Sequence, residues 1–162
     1  MKDSWYDVAQ ICLNGHVVNE KSKELPERNK KFCDRCGAVA VTECQNCGAP
    51  IPGYYHEPGL IRPEAAYIAP AFCPHCGAGF SWIESRLQAA RELAQEMEGL
   101  SDEEKETLLM SLEHVVKDTP KTALACMQLK KLFDKAGQGT NDLFREIFHD
   151  FIGKTAGKLL WP

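Results

Sequence analysis

The apolar positions of the chain follow two different rhythms. From residue 83 onward they recur at helical steps. Ile83, Leu87, Ala90, Ala94 and Met97 form one apolar face, and Gly99 stops that helix. Ser101-Asp-Glu-Glu104 has the form of a capping box and opens a second helix, whose buried face is Leu108, Leu112 and Val115, flanked by Leu109 and Val116. Thr119-Pro120 predicts a restart, with a capping threonine and a proline at the first helical position. Ala125, Leu129, Leu132 and Ala136 line helix three, which Gly137-Gln-Gly139 ends. Thr140 or Asn141 caps helix four, with Phe144, Ile147, Phe148, Phe151 and Ile152 on its face and Gly153 and Gly157 weakening its end. Four short amphipathic helices need one another to bury those faces.

Before residue 83 no helical period appears. Residues 1–11 read as a strand with Trp5, Tyr6, Val8 and Ile11 as its apolar members. Asn14-Gly15 signals a tight turn, and Val17-Val18 a returning strand. Residues 19–31 are almost all polar, include Pro26, and read as an exposed loop. Val39, Ala40 and Val41 predict a short strand. Residues 49–59 read as a Pro/Gly-rich loop carrying Tyr54-Tyr55-His56, and Leu60 to Pro70, with Ala65 and Ala66, continue it. The expected fold is therefore a small metal-bound α+β protein. Residues 1–82 form tandem zinc ribbons of short β-hairpins, and residues 83–162 form a four-helix region packed on or beside them. Trp82 or Ile83 is expected to dock the first helix on the ribbon.

The metal expectation comes from spacing. Cys33-Asp-Arg-Cys36-Gly, Cys44-Gln-Asn-Cys47-Gly and Cys73-Pro-His-Cys76-Gly all have the form C-x-x-C-G. A looser fourth element, Cys12-Leu-Asn-Gly-His16, lies upstream. Two thiolates at this spacing reach one ion across a turn, and the glycine after them lets backbone amides approach the sulfurs. Tetrahedral zinc takes four donors, so Cys12, His16, Cys33, Cys36, Cys44, Cys47, Cys73 and Cys76 fill two sites with none left over. Sequential pairing groups Cys12, His16, Cys33 and Cys36 apart from Cys44, Cys47, Cys73 and Cys76. A cross-brace, in which alternate pairs meet, is the rival, since seven residues separate Cys36 from Cys44. His16 is the weakest ligand of the set; His56 is the substitute for it, and His75 is expected to face solvent. Cys126 sits on a helical face and reads as a packed or half-exposed thiol, not a nucleophile. Two Zn2+ ions are expected, with iron as the alternative, because paired C-x-x-C-G knuckles also describe rubredoxin.

Charge and composition narrow the setting. The chain of 162 residues is 44% hydrophobic and 26% charged, ordinary for a soluble globular protein. It has no run of about 20 apolar residues for a membrane span, and its start, Met1-Lys-Asp-Ser-Trp-Tyr-Asp, lacks the apolar core of a signal peptide. A cytoplasmic location is therefore expected, where paired cysteines hold metal more often than each other. Residues 1–85 carry 8 Lys and Arg against 10 Asp and Glu, and residues 86–162 carry 11 against 13, so each half is at −2. Zinc with four thiolates adds further negative charge. Neither half has the basic excess that phosphate neutralisation needs.

The four knuckles and the segment Cys73-Pro-His-Cys76-Gly-Ala-Gly-Phe-Ser-Trp82-Ile resemble an uncharacterised bacterial family of double zinc-ribbon proteins with a helical C-terminal half. The resemblance covers most of the chain, although its specific motifs are those of the ribbon. It implies a bacterial cytoplasmic protein with rubredoxin-like ribbon elements and brings no established activity. Ser81 stands where that resemblance leads one to expect proline; it is not a ligand, so the metal reading is untouched.

Three roles compete. Closed four-donor sites leave no position for water or substrate and point to a non-catalytic protein-interaction or adaptor module, with the Tyr54-Tyr55-His56 stretch as a candidate contact. Nucleic-acid binding is the alternative, because zinc ribbons often serve it. Lys21, Lys23, Arg28, Lys30, Lys31 and Arg35 cluster, but Glu20, Glu24, Glu27 and Asp34 interrupt them. Catalysis has little to stand on. Glu113-His114 and His149-Asp150 lie on expected helices beside charged neighbours, and H-E-x-x-H, G-x-S-x-G and phosphate loops are absent from the sequence.

Overall fold

The computed structural model describes residues 4–59, 67–149 and 151–162. The chain divides into two compact units, Met1–Ile83 and Glu84–Pro162. Residues 1–3 of the expected first strand, 60–66 of the expected loop, and Asp150 lie outside the described residues.

The first unit is built on short antiparallel strands. β1 (Trp5–Val8) pairs with β5 (Pro52–His56), placing Trp5 opposite His56 and Tyr6 opposite Tyr55. β2 (Gln10–Cys12) is the middle of a second sheet, between β3 (Val17–Asn19) and β4 (Ala40–Val41). The expected first strand is thus two strands broken at Ala9. That residue is fully buried, and its amide leaves the ladder to bond the Ile51 carbonyl. The break lets one stretch of chain serve two sheets.

The Tyr54-Tyr55-His56 stretch, expected as a loop, is strand β5 instead. Pro52 occupies its first position, where a missing amide is tolerated. Gly53 is required by contact: a Cβ there would lie 2.8 Å from the Ala9 nitrogen and the Val8 carbonyl carbon. The loop signals at these two residues mark a close backbone approach.

The polar stretch 19–31 is mostly exposed yet firmly tied down. Asn19 is buried, and its side-chain amide bonds the Leu25 carbonyl and Asn29 Oδ1 at 2.8 and 2.7 Å. Asn29 bonds the Ser22 carbonyl, and buried Gln10 accepts from the Lys30 amide at 2.9 Å. Asp7 accepts from three backbone amides, those of Val8, Lys23 and Glu24. A buried carboxylate and two buried carboxamides therefore replace the backbone ladder this segment lacks. Ile11, Ile51, Phe80, Trp82 and Ile83 complete the interior of this unit. Trp82 stacks on Phe80 with centroids 4.5 Å apart and donates its indole N–H to the Pro70 carbonyl at 2.8 Å.

The second unit is helical: α1 (Ser81–Glu96, which begins in the first unit), α2 (Asp102–Val116), α3 (Thr122–Ala136), α4 (Gln138–Phe148) and a short α5 (Lys154–Leu160). The four expected helices are present, and α5 follows where only a weakened end of helix four was expected. The apolar faces are buried as their spacing predicts: Leu87, Ala90 and Ala94, then Leu108, Leu112 and Val115, then Ala125, Leu129 and Leu132, then Phe144 and Phe148. The capping box forms in full, with the Ser101 amide on Glu104 and the Glu104 amide on Ser101 Oγ.

Two helix starts differ from expectation. α3 begins at Thr122, and Thr119 Oγ1 accepts the Lys121 amide in a lead-in turn. α4 begins at Gln138, because Gly137 at φ 102° reverses the chain at once after α3. Thr140 and Asn141 are inside α4, and Asn141 Oδ1 accepts the Trp161 indole N–H instead of capping. Among the described residues no helix is long and apolar enough to cross a membrane.

Candidate metal centres

Three cysteine turns repeat one geometry. In each, the first cysteine's amide bonds the carbonyl of the alanine five residues on: Cys33 to Ala38, Cys44 to Ala49, and Cys73 to Ala78. In each, the glycine amide returns to the first cysteine's carbonyl. Gly37, Gly48 and Gly77 sit at φ 72°, 73° and 74°, where a side chain would be strained. Isolated bridges, Phe32 with Val39, Glu43 with Pro50 and Phe72 with Gly79, close each turn into a minimal hairpin. The fourth element is built differently. The Cys12 amide bonds the His16 carbonyl, and Gly15 returns to Cys12 at φ 85°.

These turns face each other in chain order. Cys12, His16, Cys33 and Cys36 form one group and Cys44, Cys47, Cys73 and Cys76 a second, with the donor atoms of each within 4.8 Å of one another. The pairing is sequential; no cross-brace is formed. In the second group, Cys44 Sγ lies 3.9 Å from Cys76 Sγ and Cys47 Sγ 3.8 Å from Cys73 Sγ. Four thiolates around zinc at about 2.3 Å each would stand about 3.8 Å apart in a tetrahedron. In the first group, Cys12 and Cys36 sulfurs are 3.7 Å apart, and His16 Nδ1 lies 3.3 Å from Cys36 Sγ and 3.7 Å from Cys33 Sγ. A zinc–imidazole bond of about 2.0–2.1 Å puts nitrogen and sulfur about 3.5 Å apart in the same arrangement. All eight cysteines are free thiols. The donor set and its separations fit a four-coordinate divalent ion in each group.

Burial is divided in the same way at both groups. The first cysteine of each turn is buried, and Cys36, Cys47 and Cys76 are exposed. Hydrogen bonds tune the exposed sulfurs. The Cys36 thiol is held down to about 6, first by the Ala38 amide and then by Asn14 and His16. The Cys76 thiol is likewise held down to about 6, first by the Asn46 side chain and then by the Ala78 amide. Cys47 has the Ala49 amide to lower it, yet desolvation and three neighbouring thiols push it up to about 12. Two sulfurs in contact resist ionising together, so it takes a cation to draw all four into the thiolate form.

One feature was not read from the sequence. Asn14 and Asn46 each stand two residues after the first cysteine of their group. Each donates its side-chain N–H to the last sulfur, Asn14 to Cys36 at 3.4 Å and Asn46 to Cys76 at 3.5 Å. The shared C-x-N order in Cys12-Leu-Asn14 and Cys44-Gln-Asn46 was the available signal.

The remaining candidates lie elsewhere. His75 is exposed, as expected. His56 joins neither sulfur group; β5 places it beside Asp7 and Glu24. Cys126 is buried in α3, belongs to neither group, and has its thiol pushed up by burial. His114 Nδ1 is 3.0 Å from Thr119 Oγ1 at the end of α2. In the basic stretch, Lys21 pairs with Glu24, Lys30 with Asp34, and Lys31 lies over the Phe32 ring.

A family model described as an uncharacterized protein conserved in bacteria (DUF2321) matches residues 5–160. The chain belongs to the DUF2321 family. The match spans both units of this DUF2321 protein. No curated protein matches it, and no solved structure matches it.

Proposed function

We propose that this protein is a non-catalytic zinc-ribbon protein, with two structural Zn2+ ions holding an N-terminal unit that acts as a protein-interaction or adaptor module. The observation that carries the metal reading is the agreement of sulfur–sulfur and sulfur–nitrogen separations, 3.3–3.9 Å, with a zinc tetrahedron in two separate groups. Zinc is favoured over iron because one group contains an imidazole and so departs from the all-sulfur donor set of a rubredoxin-type iron site. Bound there, zinc would supply a cross-link between distant turns and a fixed geometry for the loops around it, with all four positions taken by protein.

The adaptor role rests on that closure and on the acidic balance of the chain, −4 with neutral histidines. Lys21, Lys30 and Lys31 in the basic stretch have acidic or aromatic partners close by, which supports a solvated surface over a phosphate track. A bacterial cytoplasm, with reduced thiols, suits this chemistry. The test has two parts. Native mass spectrometry of the purified protein should find two zinc ions per chain. Tagged protein expressed in its own host, cross-linked and recovered, should bring down a specific protein, and should not retain DNA or RNA in a titration at low salt. Salt-sensitive nucleic-acid binding without a protein partner would replace the adaptor reading with a nucleic-acid one.

A further inference from the structure

Outside the sulfur groups, three further donors converge in the first unit. Asp7 comes from β1, Glu24 from the tied-down polar stretch, and His56 from the end of β5. His56 Nε2 lies 3.8 Å from Asp7 Oδ2 and 3.7 Å from Glu24 Oε2. It is buried and, among the described residues, it is the one buried side-chain nitrogen or oxygen without a hydrogen-bond partner. Its ring is held from two sides. Trp5 stacks on it at 4.1 Å and 14°, and Tyr54 meets it edge-on at 5.0 Å. The Asp7 side chain is fully buried, and amide bonds to Val8, Lys23 and Glu24 fix both its oxygens.

A proton on Nε2 would make an ion pair with the two carboxylates but a hydrogen bond to neither. An imidazolium N–H reaches hydrogen-bond distance at about 2.7–3.2 Å, and neither carboxylate is that close. A neutral imidazole offering its lone pair would face two carboxylates with nothing between them. A cation about 2.0–2.2 Å from a nitrogen and two oxygens fits separations of this size, because donors so placed stand well over 3 Å apart. Lys21 is the competing charge: its Nζ is 3.4 Å from Glu24 Oε2 and 4.1 Å from the Tyr54 ring centre. It pairs with the outer carboxylate and not with Asp7.

We propose that Asp7, Glu24 and His56 form a third metal site, taking a divalent first-row transition cation through one imidazole and two carboxylates. One imidazole with two carboxylates suits zinc and its neighbours in the series. Three protein donors leave a position for water, unlike the four-donor sulfur groups. The hydrogen bonds that hold Asp7 are the outer support such a ligand needs. The site also gives a reason for the order of the polar stretch: the cation would cross-link it to both strands of the first sheet.

The test is a titration of Zn2+ alone into the full chain, after native mass spectrometry has counted the ions already carried. Calorimetry should show one further equivalent per chain. Glu24→Gln, at a half-exposed position that does not carry the fold, should weaken it at least as much as loss of an outer-shell partner does, roughly 10- to 100-fold. His56→Ala should abolish it, and Glu27→Gln should leave it unchanged. No further equivalent, or one of equal affinity in Glu24→Gln, overturns the proposal. The sulfur groups are read separately. If they carried no ion, the dependence on Glu24 and His56 would still decide the third site.

Discussion

The two units hold themselves together by different means. In residues 84–162, order comes from periodic apolar faces: Leu108, Leu112, Leu129, Phe144 and Phe148 are buried, and each lies where its spacing predicts. In residues 1–83 the regular elements are only two to five residues long. There the buried set includes Asp7, Gln10, Asn19 and Ser22 as well as four cysteines. A helical unit of this kind draws its stability from the apolar area removed from water. Strands so short cannot close a core alone, so donors with fixed partners take over. The lesson is that perturbations should sort by unit: ligand and hydrogen-bond losses should be felt in the first, and cavity formation in the second.

The largest effect should follow removal of a sulfur donor. Cys44→Ser should lose one zinc ion and unfold much of residues 1–83, since a structural zinc contributes on the order of 10 kcal/mol of apparent binding free energy to folding. Amide hydrogen exchange would show protection lost around Cys73 and Ile51 while the amides of Leu129 and Phe144 keep theirs. A Cys44→Ser protein with unchanged melting would contradict the account. Next in size, Phe144→Ala should cost about 3–5 kcal/mol by opening a cavity in the helical unit, with both zinc ions retained. If that variant lost metal, the division between the units would be wrong.

Gly53→Ala should follow, destabilising by about 1–3 kcal/mol or more, because the new methyl meets backbone at Val8, Ala9 and Glu20. Chemical denaturation of the zinc-loaded protein reads this directly. Asn46→Ala should leave the fold intact but weaken zinc at the second group by roughly 10- to 100-fold, as loss of an outer-shell partner does. Competition with a chromophoric chelator would measure it, and Asn14→Ala should act in the same way on the first group.

The smallest effect concerns the α2 cap. The Lys135 ammonium, and after it the Ser101 amide, hold the Glu104 carboxyl below the usual carboxylate range. Its folded value is therefore below its unfolded one. Its contribution is present above the ordinary carboxylate range and is lost as pH falls through the folded value. Glu104→Gln should flatten that part of the acid side of the stability curve, and Ser101→Ala should cost about 1 kcal/mol. A Glu104→Gln curve with the slope of the parent would remove the cap from this role.

How far the sequence could be read also divides by unit. The helical faces were legible because each depends on residues three and four apart, as at Leu108, Leu112 and Val115. The sulfur groups were legible because C-x-x-C-G is a local motif that sets two donors across one turn. Their grouping needed the structure, since spacing alone allowed a cross-brace. Strand β5 was hidden because Pro52 and Gly53 signal a loop, and because its partner β1 lies more than forty residues away. Asp7, Asn19 and Gln10 were hidden for the same reason. A buried polar side chain looks like an exposed one until distant amides are brought to it. The starts of α3 and α4 were misplaced because Thr119 and Asn141, good capping residues by type, spend their side chains on a lead-in turn and on Trp161.

The most direct measurement is native mass spectrometry of the purified chain, washed with a mild chelator, in parallel with Cys44→Ser. The account predicts two zinc ions retained by the parent and one by the variant, because closed four-donor sites exchange slowly while an open one is stripped. A parent chain that carries no ion and keeps the same fold after exhaustive chelation under reducing conditions would contradict it.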